Sequence, residues 1–452
     1  MDEQRIVERI WARDPTVWTG GDEASWLGWL DEPQRMRERI DELDRFAREV
    51  REEFQSVVVM GMGGSSLAPE VFARTFAAHH VAVLDTTHPN RIRRVAEERD
   101  PAETLFVASS KSGTTLETRA QLDYFWQLTN RRGPQFVAIT DPGSSLENVA
   151  RERSFRATFS GEPTIGGRYS ALSPFGLVPA ALAGADLSLL LDRAEAMVDA
   201  CRGEENPGLA LGLRLGRGWQ EGRDKVCIRP NVGGFGLWAE QLLAESTGKK
   251  GKGLVPAPDE APEGPDRQPA EVLVRDPYDL GSEFFRWEFA TAAAGAILGV
   301  NPFDQPNVQE AKDRTGAVLS GQGRGPDPGT GPQESVDALL AAAEPPDYVC
   351  IQAFIDPARE GELEPLIARA RDTGCVVTHG LGPRYLHSTG QLHKGGPATG
   401  IFIQVLDDAG PELPIPGRDF GFGQLIRAQA DGDYLALQER GRRIARVRLE
   451  GL

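Results

Sequence analysis

The 452-residue chain has little sulfur, little histidine and no surplus of positive charge. Its four cysteines (Cys201, Cys227, Cys350 and Cys375) are scattered and form no Cys-x-x-Cys pair. That argues against a metal cluster or a disulfide scaffold and fits a reducing compartment. Lys and Arg number 50 against 67 Asp and Glu, a net charge of −17. Nucleic acid and anionic membranes, which both call for a basic face, are thereby disfavoured as partners. The longest apolar run, 290–300, is too short to span a bilayer, and the opening MDEQRIVERIW is charged and periodic, unlike a signal peptide. A cytoplasmic protein is expected. An anionic substrate would have to be captured by local donors against an unfavourable overall field.

The chain is long enough for two or three domains. Its most informative stretch is SSKSGTTLET, 109–118, with six hydroxyls (Ser109, Ser110, Ser112, Thr114, Thr115, Thr118) beside Lys111 and Gly113. A short apolar run precedes it and a helical period follows, which places it at a strand-to-helix turn. Free N–H groups of a helix's first turn attract an anion, and short hydroxyls complete the shell around it. The same letters also fit a capping box, Thr114 to Glu117, as does Ser144 to Glu147 in DPGSSLEN, to which no chemistry is assigned.

Residues 1–55 read as a helical arm packed on the first domain, with Trp11, Trp18, Trp26 and Trp29 as anchors. Strands are expected at 57–60, 81–84, 105–108 and 136–139, with helices between them, which means a parallel sheet covered on both faces. Ligands sit at the carboxyl ends of such strands, where both GMGGSS (with Gly64 and Ser65) and Ser110 to Thr115 fall. In IGGRYS, two glycines could aim Arg168 into a cleft. A second α/β unit is expected from strands at 225–228, 271–274, 348–354, 376–379 and 401–406, with 256–269 and 321–332 as surface loops. An alanine-rich helix, 282–298, should pack closely on a neighbour, and a last helix is expected over 423–442. In GLWAEQLLAESTGKKGKG, Gln241 and Glu245 share a helix face. A carboxylate in a helix's last turn opposes the dipole, a costly placement that points to use as a general base. His387 and His393 lie in a polar loop, six apart and without acidic companions, which suits proton transfer better than a metal.

Taken together and in order, GMGGSS, SSKSGTTLET, GGRYS, EQLLAES, GVNPFDQP and the HSTGQ…KGGP loop resemble the phosphoglucose isomerase family, built from two sugar-isomerase (SIS) domains. The nearest likeness is to the isomerase half of actinobacterial-type transaldolase–phosphoglucose isomerase fusions. The fold implied is α/β: two SIS-type doubly wound, mainly parallel sheets with helices on both faces, plus N- and C-terminal helical extensions. The divisions expected are an arm (1–50), a first SIS domain (51–203), a second (204–410) and a C-terminal helix with a closing strand (411–452).

The resemblance implies interconversion of glucose 6-phosphate and fructose 6-phosphate through a cis-enediol, with no metal and no cofactor. Gly64, Ser65, Ser110, Ser112 and Thr115 would bind the phosphosugar, with Lys111 nearby, and Gln241 would orient it. Glu245 would carry the proton, Arg168 would stabilise the charge that develops, and His387 would help open the ring, arriving from a partner subunit in a homodimer. Association with a separate transaldolase is a further partner the branch suggests. The family's lysine on the C-terminal helix falls on Ile426, beside Arg427, which leaves ring opening to His387, Lys394 or His393. The alternatives are a non-catalytic sugar-phosphate sensor, or an isomerase of another phosphosugar such as mannose 6-phosphate.

Overall fold

β-branched and aromatic runs of the first half form five strands: β1 (Ser56–Met60), β2 (Val81–Leu84), β3 (Thr104–Ser109), β4 (Phe136–Thr140) and β5 (Ala157–Ser160). In the computed structural model, which describes residues 3–328 and 335–452, they make one parallel sheet in the order β2-β1-β3-β4-β5. Alternate residues feed opposite faces. Val57, Val59, Leu105, Val107, Val137 and Ile139 enter one apolar cluster. Val58, Met60, Phe106, Ala108, Phe136 and Ala138 enter the other. Burial on both faces is why these strands read as continuous apolar runs and require helices on each side. Register puts Met60 opposite Ala108, so the turns that follow β1 and β3 open side by side at the carboxyl edge.

The second half carries two parallel sheets. β6 (Lys225–Arg229), β7 (Val255–Pro258) and β8 (Arg267–Glu271) lie in the order β7-β6-β8. β9 (Tyr348–Phe354), β10 (Val376–Leu381), β11 (Gly400–Leu406) and β12 (Arg443–Arg448) lie in the order β10-β9-β11-β12. This corrects two expectations. The strand placed at 271–274 ends at Glu271, and the presumed loop 256–269 holds most of β7 and the start of β8. Both flank β6 as edge strands, the place where a sheet tolerates prolines such as Pro256, Pro258 and Pro269. The other expected loop is irregular from 322 to 327, and its remainder reaches outside the described residues.

Six helices position the site: α1 (Ile40–Glu53), α2 (Leu67–Thr75), α3 (Leu116–Leu128), α4 (Phe235–Thr247), α5 (Asp279–Leu298) and α6 (Phe422–Glu439). Alanine-rich α5 packs closely, as small side chains allow: a Cβ at Gly212 of the neighbouring helix Pro207–Gln220 would lie 2.5 Å from Ala290 O. The N-terminal arm packs on the first half, with Phe46 4.9 Å from Phe159 and Trp29 5.3 Å from Tyr169, and three of its tryptophans (Trp11, Trp18 and Trp29) also dock on α5 in the second half. Trp11 lies 6.3 Å from Phe285, and Trp18 Nε1 donates to Ala292 O at 2.7 Å. The surface that the arm must cover is the aromatic face of α5, to which Trp29 also packs. No described helix is long and apolar enough to cross a membrane.

Candidate active site

Two glycine turns meet where the chain leaves β1 and where it enters the Arg168 turn, Gly167–Tyr169. A Cβ on Gly64 would sit 1.9 Å from Gly167 O, and one on Gly63 would sit 2.7 Å from His387 O and 2.9 Å from Gln241 Nε2. Gly63 also holds φ +55°, a region glycine enters without strain. Four separate segments therefore close on one point: the β1 turn, the Arg168 turn, α4 and the Arg384–His387 turn after β10.

On the neighbouring strand end, the hydroxyl loop is ordered by its own contacts. Ser110 Oγ lies 3.0 Å from Thr115 Oγ1, and Ser112 Oγ lies 2.9 Å from Thr114 Oγ1. Ser110 is buried while Ser112 and Thr114 are exposed, so the loop presents hydroxyls from a fixed base. Lys111 does not join them. Its ammonium pairs with Asp141 and donates to Glu162 O at 3.2 Å, so the cation ties the loop to β4's end and leaves the hydroxyls to meet a ligand. No side-chain cap closes α3, whose N-cap is Thr115, whereas Ser144 accepts from Glu147 N at 3.1 Å. Of two look-alike capping boxes, only the one without assigned chemistry is a cap.

Glu245, in the last turn of α4, is buried and partnered. Gln241 Nε2 donates to its Oε2 at 2.9 Å and also to His387 O at 2.9 Å, and Arg168 NH1 stands 3.5 Å away. Gln241 Oε1 is buried without a hydrogen-bond partner among the described residues, an acceptor open to a ligand. Arg168 is held on all sides: Ser246 Oγ at 2.9 Å, Pro302 O at 2.7 Å, Asp304 O at 2.9 Å and Gln305 Oε1 at 3.0 Å. The GVNPFDQP stretch, 299–306, is thus the clamp that aims the guanidinium. Next to it Lys249 is buried, bonded to Asp304 O at 2.6 Å, and burial together with the Arg168 cation pushes its ammonium down to about 7.

Within the chain, His387 lies against α3 and α4. Its Nε2 lies 2.8 Å from Glu117 Oε1 of α3. A carboxylate accepts, so the contact puts the proton on Nε2. Glu117 was not among the expected site residues, although it stands inside the hydroxyl motif; the capping-box pattern absorbed it. Gln429 of α6 also donates to Glu117 Oε1, at 2.7 Å. The other candidates for ring opening lie elsewhere. His393 is buried against Phe402 and Tyr385, and burial followed by the Lys394 charge holds its imidazole well below the usual range. Lys394 pairs with Asp433 at 2.5 Å. Ile426 packs with Phe354, Tyr385, Leu386 and Leu406, and Arg427 turns to Asp327 and Asp431. Among the described residues no group of three His, Cys, Asp or Glu could hold a metal ion.

Known proteins resemble the chain both in sequence and in fold. The family model for phosphoglucose isomerase matches residues 21–204. The glucose-6-phosphate isomerase of Carboxydothermus hydrogenoformans is 34% identical over 250 residues, 50% of this chain and 53% of that one. That of a Thermus thermophilus strain is 39% identical over 178 residues, 38% of this chain and 42% of that one. The chain spans about half the length of the curated relatives it matches. In fold, it resembles the glucose-6-phosphate isomerase of Chlamydia trachomatis (TM-score 0.59, 18% identity, 71% of this chain and 84% of that one). It also resembles a hypothetical protein of Thermus thermophilus (TM-score 0.51, 23% identity, 99% and 83%). The stretch that matches the phosphoglucose isomerase model, 21–204, supplies the glycine turn, the hydroxyl loop, Glu117 and Arg168.

Proposed function

We propose that this chain is an aldose–ketose isomerase that interconverts glucose 6-phosphate and fructose 6-phosphate. The observation that carries the proposal is the buried Gln241–Glu245–Arg168 group, beside a hydroxyl loop and a histidine held by a carboxylate. Moving hydrogen between C1 and C2 requires a base that removes a proton next to a carbonyl and a cation that meets the charge arising on oxygen. Glu245 supplies the base. Arg168 meets the enediolate through NH1, the guanidinium nitrogen that already faces Glu245. Ser65, Ser110, Ser112 and Thr115 receive the phosphate by hydroxyl and backbone N–H donors, which suits a protein whose overall charge repels it. Gln241 Oε1 accepts from a sugar hydroxyl. His387, with its proton on Nε2, leaves Nδ1 to exchange the ring-opening proton.

The proposed setting is cytoplasmic, in keeping with four buried free thiols. The homodimer stays in the proposal as an assembly, and a transaldolase stays as a candidate partner. A binding-only protein is the second reading, favoured by Ile426, whose apolar surroundings offer no lysine to the site.

The test is a coupled assay that supplies fructose 6-phosphate and follows glucose 6-phosphate, with Glu245→Gln alongside. Turnover that falls by about two to four orders of magnitude in the variant supports the enzyme and its base. Binding of fructose 6-phosphate with no turnover in either protein supports the sensor. Faster turnover of mannose 6-phosphate would move the proposal to that epimer.

A further inference from the structure

Behind His387 runs a line of side chains that ends in the protein interior. Thr87 Oγ1 donates to Gln429 Oε1 at 2.7 Å, Gln429 Nε2 donates to Glu117 Oε1 at 2.7 Å, and His387 Nε2 meets the same oxygen at 2.8 Å. Thr87 is 0% exposed and Gln429 2%, while the His387 side chain, at 15%, is the member that reaches the cleft. The four residues come from the loop after β2, from α6, from the first turn of α3 and from the turn after β10, so nothing local brings them together.

The directions of these bonds are forced. A carboxylate only accepts, so Gln429 must offer its NH2 edge to Glu117, which leaves its carbonyl for the Thr87 hydroxyl. Two donors on one oxygen fix where the negative charge of Glu117 points, and hydrogen bonds to an ionised acceptor are the strong ones. Other charges near the line are matched elsewhere: His88 lies 3.1 Å from Asp407, Arg384 lies 3.7 Å from Asp85, and Asp433 is paired with Lys394. Glu117 is therefore the charge His387 answers to.

We propose that Gln429, backed by Thr87, is a positioning residue for ring opening. It holds Glu117 so that His387 keeps its proton on Nε2 and has Nδ1 free for the sugar. This rests on the isomerase reading given above. It also explains how the site can work with Ile426 in an apolar cluster. The face of α6 that meets the site is the Gln429 face, and its contribution arrives through a carboxylate and not through a lysine.

The experiment uses Gln429→Leu, which keeps the volume and removes the donor, with Thr87→Val as a milder break in the same line. Two readouts are taken. One is kcat/KM for glucose 6-phosphate and its 2-deuterio form, since a slowed ring opening hides the C–H step and shrinks the isotope effect. The other is the 15N signals of the His387 imidazole, identified with a His387→Asn control. The expected result for Gln429→Leu is a loss of about ten-fold in kcat/KM, the scale of one charge-assisted hydrogen bond. The isotope effect should move toward one, and the single Nε2–H tautomer of His387 should give way to a mixture. Thr87→Val should do the same more weakly and add nothing on top of Gln429→Leu, because it acts only through that residue.

Unchanged His387 signals in either folded variant would overturn the proposal. So would an isotope effect that stays the same while turnover falls, or additive losses in the double variant. If the wild-type chain turns over no hexose phosphate, the isomerase reading fails on that assay, while the nitrogen signals still decide whether Gln429 sets the tautomer.

Discussion

Two glutamates on neighbouring helices are both buried, and their surroundings have little else in common. Glu245 lies in the last turn of α4; Glu288 lies in the middle of α5, which packs against α4, and Tyr169 lies near enough to feel both charges. Glu245 has Gln241 at 2.9 Å and Arg168 at 3.5 Å. Glu288 Oε1 has no hydrogen-bond partner among the described residues, and the charge that acts on it is another carboxylate, Glu32. Burial with a cation and an amide donor makes a charge available for chemistry. Burial against a like charge drives the carboxyl toward its neutral form. Of the two, only the first belongs to the candidate site, and the difference lies in the partners, not in the depth.

The sharpest way to break the contrast is to remove the cation from the first place. Arg168→Met leaves Glu245 buried without its counter-ion and strips donors from Pro302 O and Asp304 O. Breaking a buried pair from one side costs about 3–5 kcal/mol. Loss of an electrostatic stabiliser costs about 10² to 10³ in kcat. Urea unfolding and the coupled assay measure the two separately. Adding Glu245→Gln should restore part of the stability and none of the activity. A double variant no more stable than Arg168→Met would mean that the guanidinium is chiefly a strut for the 299–306 loop.

A smaller effect is expected from the backbone that brings the partners together. Gly64→Ala forces a Cβ to 1.9 Å from Gly167 O, so the β1 turn and the Arg168 turn must part. A misplacement of about 1 Å can cost up to about 10² in rate, and a drop of at least ten-fold in kcat/KM is expected. Gly166→Ala is the control. Its Cβ would meet nothing within 4 Å, and its φ of −66° suits any residue. Equal losses in both would show that the close approach of the two turns is not what sets the site.

The contrast between the glutamates was half visible in the sequence. Glu245 stood out because a carboxylate at a helix C-terminus is locally costly, and the two glycine- and hydroxyl-rich turns stood out as strand-end loops. The first sheet was legible for a related reason, since each of its strands is a continuous apolar run buried on both faces. What long-range folding decides was not legible. Glu117 looked like a cap because its local letters fit one, and only the return of the chain 270 residues later places His387 on it. Gln429 carries no local signal, and Lys111, expected near the phosphosugar, pairs with Asp141. The prolines hid β7 and β8, whose place at the sheet's edges is a tertiary fact.

The smallest effect should come from correcting the second glutamate, and its sign follows from the proton balance. Burial holds the Glu288 carboxyl well above 4.5, and burial raises Glu32 to about 7. A folded-state pKa above the unfolded one means that the folded chain binds more protons than the unfolded chain between the two values. Stability therefore falls as pH rises through that window, from about 4.5 to 7 for Glu32 and further for Glu288. Glu288→Gln removes one of these groups and the repulsion it exerts on the other. The variant should gain stability at pH 8, where the raised carboxyl of the folded wild-type chain is disfavoured against its ionised unfolded form, and gain little at pH 5. Urea midpoints at the two pH values measure this, with activity in the coupled assay expected to stay within a few-fold because Glu288 touches no site residue's hydrogen bonds. A variant that loses stability at pH 8 would show that the Glu288 charge is met after all, and the two glutamates would then differ in position alone.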